Sequence, residues 1–182
     1  MTAIYLKEET KPLHDALEQK MMVGKIFDRT LTKDDYHNIL KINLLVHQEI
    51  ETAVTEKITE ELKSELNLDE RLKTPYLIKD IGTLESDNFD FKLDNSDEIL
   101  GSLYVMEGAT LGGNVIKKQL LQNPEFKDVS FHYYGIYGES LAANWKSFLN
   151  ILEEKTIDKK AVLAGATKTY NLFLKVAEEV LS

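Results

Sequence analysis

Three glycines interrupt what is otherwise one of the strongest helical patterns in the chain. The stretch Tyr104-Val105-Met106-Glu107-Gly108-Ala109-Thr110-Leu111-Gly112-Gly113-Asn114 lies inside a periodic segment that begins near Ser96 and runs to about Gln122. Each glycine in a helix interior costs roughly 1 kcal/mol relative to alanine, so the pattern needs a compensating use. Gly108 and Gly112 are four apart and share a face, which leaves a strip of bare backbone. A strip of that kind suits a second helix packed closely against it, or a flat, rigid ligand pressed on the main chain. Spacing alone leaves both open. The adjacent Gly112 and Gly113 predict a kink in this helix.

The rest of the chain is helical as well, with no convincing strand alternation and only three prolines and nine glycines. Periodicity predicts a first helix over residues 3–20, with Leu6, Thr10, Leu13 and Leu17 as its core stripe. Residues 21–29 read as a short helix or turn. Thr32 is a good N-cap for a long helix to about Lys57. Helices are expected over 59–66 and 69–84, followed by an acidic loop over 85–95. Ser96, with Asp97 and Glu98, starts the glycine-interrupted helix, and Asn123-Pro124 ends it. An aromatic-rich loop over 124–138 precedes two last helices, 139–154 and 158–181. No linker or repeat divides the chain, so one all-α domain spanning 1–182 is expected.

Composition removes several function classes. There is no cysteine, which excludes disulfides, thiolate ligands and cysteine nucleophiles. The net charge of −9 argues against nucleic acid as a partner. No apolar run is long enough to span a bilayer, and the first residues lack the basic and apolar segments of a signal peptide. A cytoplasmic protein without membrane association is the expectation. No phosphate-binding loop, H-E-x-x-H pair or G-x-S-x-G elbow is present.

One histidine stands out. Lys7, Lys11, His14 and Glu18 fall at offsets that place them in a narrow stripe on one helix face. Such a histidine could ligate a metal, with lysines holding anionic groups and Glu18 influencing the imidazole from one turn away. The same pattern also suits a solvated charged face. Pro12 removes a backbone hydrogen bond inside this helix, which predicts a kink, or a restart with Thr10 as the cap. His37, His47 and His132 are weaker candidates.

Two segments together resemble the haem oxygenase family, most closely its bacterial, bacteriophytochrome-associated branch. Leu6-Lys7-Glu8-Glu9-Thr10-Lys11-Pro12-Leu13-His14-Asp15-Ala16-Leu17-Glu18 is similar to the family's proximal helix. Leu103 to Gly113 is similar to its glycine-rich distal helix. Tyr133-Tyr134-Gly135 to Trp145-Lys146-Ser147-Phe148 resembles its later aromatic and basic segment.

The resemblance implies a haem-oxygenase-like helical bundle with a kinked distal helix. It implies haem as both substrate and cofactor, with His14 as the axial iron ligand and Glu18 nearby. Lys7, Lys11 and Lys146 match positions that contact the propionates, with Tyr133 or Tyr134 as further partners. Tyr104, Gly108, Ala109, Gly112 and Gly113 would form the distal wall, Gly108 and Gly112 acting catalytically by bringing backbone against the ring. The implied reaction consumes dioxygen and electrons from a ferredoxin or similar reductase. Its products are biliverdin, carbon monoxide and ferrous iron, with a bacteriophytochrome as a possible acceptor of the pigment. Ala109 stands where some members carry aspartate, so water held by backbone carbonyls and Thr110 would substitute. Asn150 stands where arginine often assists propionate binding. The competing readings are a haem-storage protein that does not turn over and a haem-free, thiaminase-like helical protein.

Overall fold

The computed structural model describes residues 1–85 and 88–182, so Ser86 and Asp87 of the acidic loop lie outside the described residues. Among the described residues there are eight α-helices and no strand. They are α1 (Thr2–Lys20), α2 (Val23–Phe27), α3 (Lys33–Lys57), α4 (Glu60–Leu66), α5 (Thr74–Ile81), α6 (Ser96–Leu120), α7 (Leu141–Glu154) and α8 (Lys159–Leu181). Single 3-10 turns occupy Leu68–Arg71, Pro124–Phe126, Tyr133–Gly135 and Gly138–Ser140. Three of these give the aromatic segment after α6 more local structure than the loop expected there. No described helix is long and apolar enough to cross a membrane.

Local chemistry sets most boundaries. Thr32 caps α3 in a reciprocal box with Asp35, and Thr59 and Asp158 cap α4 and α8. The cap of α6 is Asn95, one residue before the expected start, its side-chain oxygen accepting from the amides of Asp97 and Glu98. The helix expected over 69–84 is split. Pro75 fits only the first turn of a helix, and the amides of Lys73 and Thr74 are drawn to the Glu51 carboxylate at 2.6 and 3.2 Å.

One expectation for the site helices needs correction. α1 runs unbroken through Pro12, and the Thr10 hydroxyl donates back to the Leu6 carbonyl at 2.8 Å instead of capping a restart. The burial of Leu6 and Thr10 on the core side shows tertiary packing overriding the proline's local cost. α6 carries Gly112 and Gly113 within its span, Ser96–Leu120.

α8 is the axis of the bundle, with α6, α1 and α3 packed along it. Where α6 crosses α8 the two main chains touch. A Cβ on Gly101 would lie 1.8 Å from the Val162 carbonyl oxygen, and one on Gly165 would lie 2.0 Å from that of Glu98. Only glycine permits that approach. The hydroxyls of Ser102 and Thr169 meet beside it at 2.7 Å. The main core, including Leu6, Ile50, Leu66, Phe148 and Val176, fills the space around α8. A second cluster around Tyr36, Phe126 and Phe131 supports the α3–α5 end.

Candidate functional site

α1 and α6 both lie on α8, and a third, small apolar cluster joins all three helices. It contains Val105 and Tyr104 from α6, Ala166 and Tyr170 from α8, and Leu13 and Leu17 from α1. Helical spacing places His14 beside the Leu13/Leu17 stripe. It also places Gly108, Ala109 and Gly112 on the continuation of the Val105 stripe. The two predicted segments therefore border one floor, whose central residue is Tyr170. Its ring stands edge-on to the His14 imidazole at 6.4 Å between centroids, and burial pushes its hydroxyl up to about 12. Nothing in the sequence singled Tyr170 out, because its role depends on the rotation of α8. α2 and α7 each pack against both α1 and α6.

On the α1 wall, the His14 side chain is 53% exposed, a value that leaves its ring open to a ligand. Asp15 Oδ1 lies 3.7 Å from Nδ1 and Glu18 Oε1 lies 3.9 Å from Nε2, both longer than a hydrogen bond. These three residues form the one cluster with metal-ligand spacing among the described residues. Lys11 binds Asp15 at 2.6 Å, and its ammonium holds the Asp15 carboxyl below the usual range. Lys7 on α1 and Lys146 on α7 are both exposed cations.

On the α6 wall, Gly108 and Gly112 have few neighbours. A Cβ at Gly112 would meet nothing within 4 Å, and one at Gly108 would meet only the edge of Trp145 at 3.9 Å. Gly108 thus meets α7 only through an indole edge, and the close contact of main chains falls to Gly101 and Gly165. Ala109, Leu111 and Val115 are exposed along the same stretch. Tyr104 is half-buried, and its hydroxyl reaches the Ala3 carbonyl at 3.4 Å.

Other predicted site residues turn inward. Gly113 is buried, its Cβ position 3.2 Å from the Tyr134 ring, so it seats that ring. Tyr134 is itself packed beneath α6 against Tyr36. The Tyr133 hydroxyl donates to Asn43 Oδ1 and meets His47 Nε2, each at 3.0 Å, inside the core. Neither tyrosine presents its hydroxyl as an exposed propionate partner. Thr110 is also committed, donating to the Glu107 carbonyl at 2.5 Å.

Sequence reasoning missed a buried charge group next to Gly108. Glu107, 1% exposed, pairs with Arg71 at 2.6 Å and with Lys73 Nζ, and accepts from the Tyr137 hydroxyl at 2.9 Å. Burial pushes the Lys73 ammonium down, opposed by the Glu107 charge. Burial and the same carboxylate push the Tyr137 hydroxyl well up. Arg71 and Lys73 read in the sequence as two cations in an ordinary helical segment, with no local sign of the partner they share.

Comparison with known proteins bears on the family and the fold. The family model described as heme oxygenase matches residues 2–98, which include His14 and stop short of the glycine strip. No curated protein matches the chain by sequence. Among solved structures, the heme oxygenase of Leptospira interrogans is 16% identical with a TM-score of 0.77, and the similarity covers 98% of both chains. Heme oxygenase-1 from the cyanobacterium Synechocystis sp. PCC6803, solved in complex with heme, is 16% identical with a TM-score of 0.75. It is covered over 91% of its length and this chain over 98%. The likeness therefore extends the fold through α6, α7 and α8.

Proposed function

The chain belongs to the haem oxygenase family, and we propose that it binds haem between α1 and α6 and cleaves it oxidatively to biliverdin. Carbon monoxide and ferrous iron are the other products, with dioxygen and a ferredoxin or similar reductase as co-substrate and electron source. The whole chain, 1–182, acts as one catalytic domain in the cytoplasm.

The observation that carries this reading is the pairing of an open imidazole with an uncovered backbone strip across one apolar floor. Among the described residues, the carboxylates beside the His14 ring stand beyond hydrogen-bond distance, and a Cβ at Gly112 would meet nothing within 4 Å. The donor set fits haem: a nitrogen ligand at the centre, apolar groups on both sides and exposed lysines at the margin. Bound haem supplies the iron that activates dioxygen and the ring that is oxidised.

The chain's own residues have definable tasks. His14 would hold the iron through a ring nitrogen, with Asp15 and Glu18 near enough to orient the imidazole. Lys7, Lys11 and Lys146 attract the propionates as point charges. The backbone from Gly108 to Gly112 would lie against a bound ring and leave little room beside it, a positioning role. Ala109 provides no acid there, so protons come through water.

Titration with hemin should produce a Soret band that a His14→Ala variant loses or shifts strongly. Ascorbate or a reduced ferredoxin should then convert bound hemin to a biliverdin absorbance. A Soret band without biliverdin leaves the storage reading standing; absence of the band rejects haem binding altogether.

A further inference from the structure

We propose that Trp145 is the stop that fixes where along the α6 strip the tetrapyrrole sits, and that Arg71 holds this stop in register with Gly108. The proposal rests on the haem-binding reading above. It names a residue that decides which edge of the asymmetric ring faces the reacting oxygen.

The strip is bounded at one end only. Gly112 faces open space, whereas the Trp145 ring edge lies 3.9 Å from the Gly108 Cβ position. The same indole leans on Tyr104, one turn earlier, at 5.9 Å and 43°. A flat guest sliding along the glycines toward the α7 side therefore meets an indole.

That indole is braced from behind. It stacks on Phe148 at 5.9 Å and 24°, and Phe148 is fully buried. The Arg71 guanidinium lies 5.9 Å from the centre of the Phe148 ring. The same guanidinium pairs with Glu107, which precedes Gly108, and donates at 3.4 Å to the carbonyl of Asn144, which precedes Trp145. One planar cation thus ties the residue before the stop to the residue before the strip. The fork geometry of arginine allows this, and a lysine could not span both acceptors in the same way. Lys73 gives Glu107 a second counter-charge, so the bridge can be altered without leaving that carboxylate unpaired.

The ring of haem has four inequivalent meso edges: the two propionates flank one of them, and the unsymmetrical placement of vinyl and methyl groups distinguishes the others. A rotation of the seated ring about its bond to His14 would change which edge lies beneath the strip, without changing iron ligation. Trp145 is therefore a specificity residue, and Arg71 is a positioning residue that acts through it.

Two measurements test this. Trp145 is the only tryptophan, so its indole NH gives one assignable proton signal. With gallium protoporphyrin IX, a diamagnetic and non-reacting haem analogue, nuclear Overhauser contacts are expected between the Trp145 indole protons and substituents on one ring edge. Bound porphyrin without any such contact overturns the proposal while leaving haem binding intact. In turnover with hemin, Trp145→Ala should change the ratio of biliverdin isomers at least threefold, with Trp145→Phe staying near the wild-type ratio. Arg71→Lys should move the ratio in the same direction as Trp145→Ala with the Soret band retained. An isomer ratio unchanged in Trp145→Ala overturns the stop. Wild-type protein that yields no biliverdin defeats the enzymatic reading instead, and the analogue contacts then still decide the seating.

Discussion

Glu107 sits between two buried cations, and its side chain has almost no contact with water. Replacing it by leucine would leave Arg71 and Lys73 facing each other in the interior without a counter-charge. Removing one member of such a buried group costs about 3–5 kcal/mol. Urea denaturation of Glu107→Leu should show a loss of that size, whereas loss of an exposed pair such as Lys92–Asp90 should leave the denaturation midpoint almost unmoved. This group was invisible in the sequence because its partners lie 34 and 36 residues before Glu107. His14 was legible for the opposite reason: its neighbours on the stripe are all in its own helix. The inward turn of Tyr133 was not legible, since the direction of its ring follows from a 3-10 turn whose register only packing fixes.

At the scale of the element, α6 uses glycine in two unrelated ways. Gly101 lets the main chain of α6 touch that of α8, and Gly112 leaves main chain uncovered beside the cleft. Gly101→Ala forces a methyl against the Val162 carbonyl and should destabilise the protein by about 3 kcal/mol or more. Gly112→Ala should instead stabilise the ligand-free protein by about 0.5–1 kcal/mol, the ordinary gain in helix propensity. The same methyl intrudes on the strip, so hemin affinity should fall in Gly112→Ala. Denaturation curves and hemin titrations of the two variants check both signs. Spacing in the sequence identified Gly108 and Gly112 as a pair but could not say what faced them. The actual helix–helix contact joins Gly101 to Gly165, two positions from different helices that share no local pattern. Helix existence and most caps were legible from periodicity and side-chain chemistry. The break before α5 was not, because it depends on Glu51 from α3.

At the scale of the whole molecule, the second buried polar group makes folding sensitive to acid. His47 is fully buried against Tyr133, and burial pushes its pKa below the ordinary value of 6.5. Burial raises the Glu51 carboxyl, but His47 and the amides it accepts from hold it, on balance, below 4.5. Both groups bind protons more readily in the unfolded chain, so stability rises with pH through these regions. The His47 contribution is complete above about pH 6.5 and is lost as the pH falls below it. The Glu51 contribution fades at lower pH, below about 4.5. Melting temperature should therefore drop on acidification from pH 7 to 5, and a His47→Gln variant should show a shallower slope over that interval. The crossing at Gly101 and Gly165 also governs how the cleft can adjust. Touching main chains forbid α6 from sliding along α8, so accommodation of a thicker guest has to be a tilt pivoting at that crossing. Such a jaw gapes most at the Val115 tip and least beside Trp145, near its fulcrum.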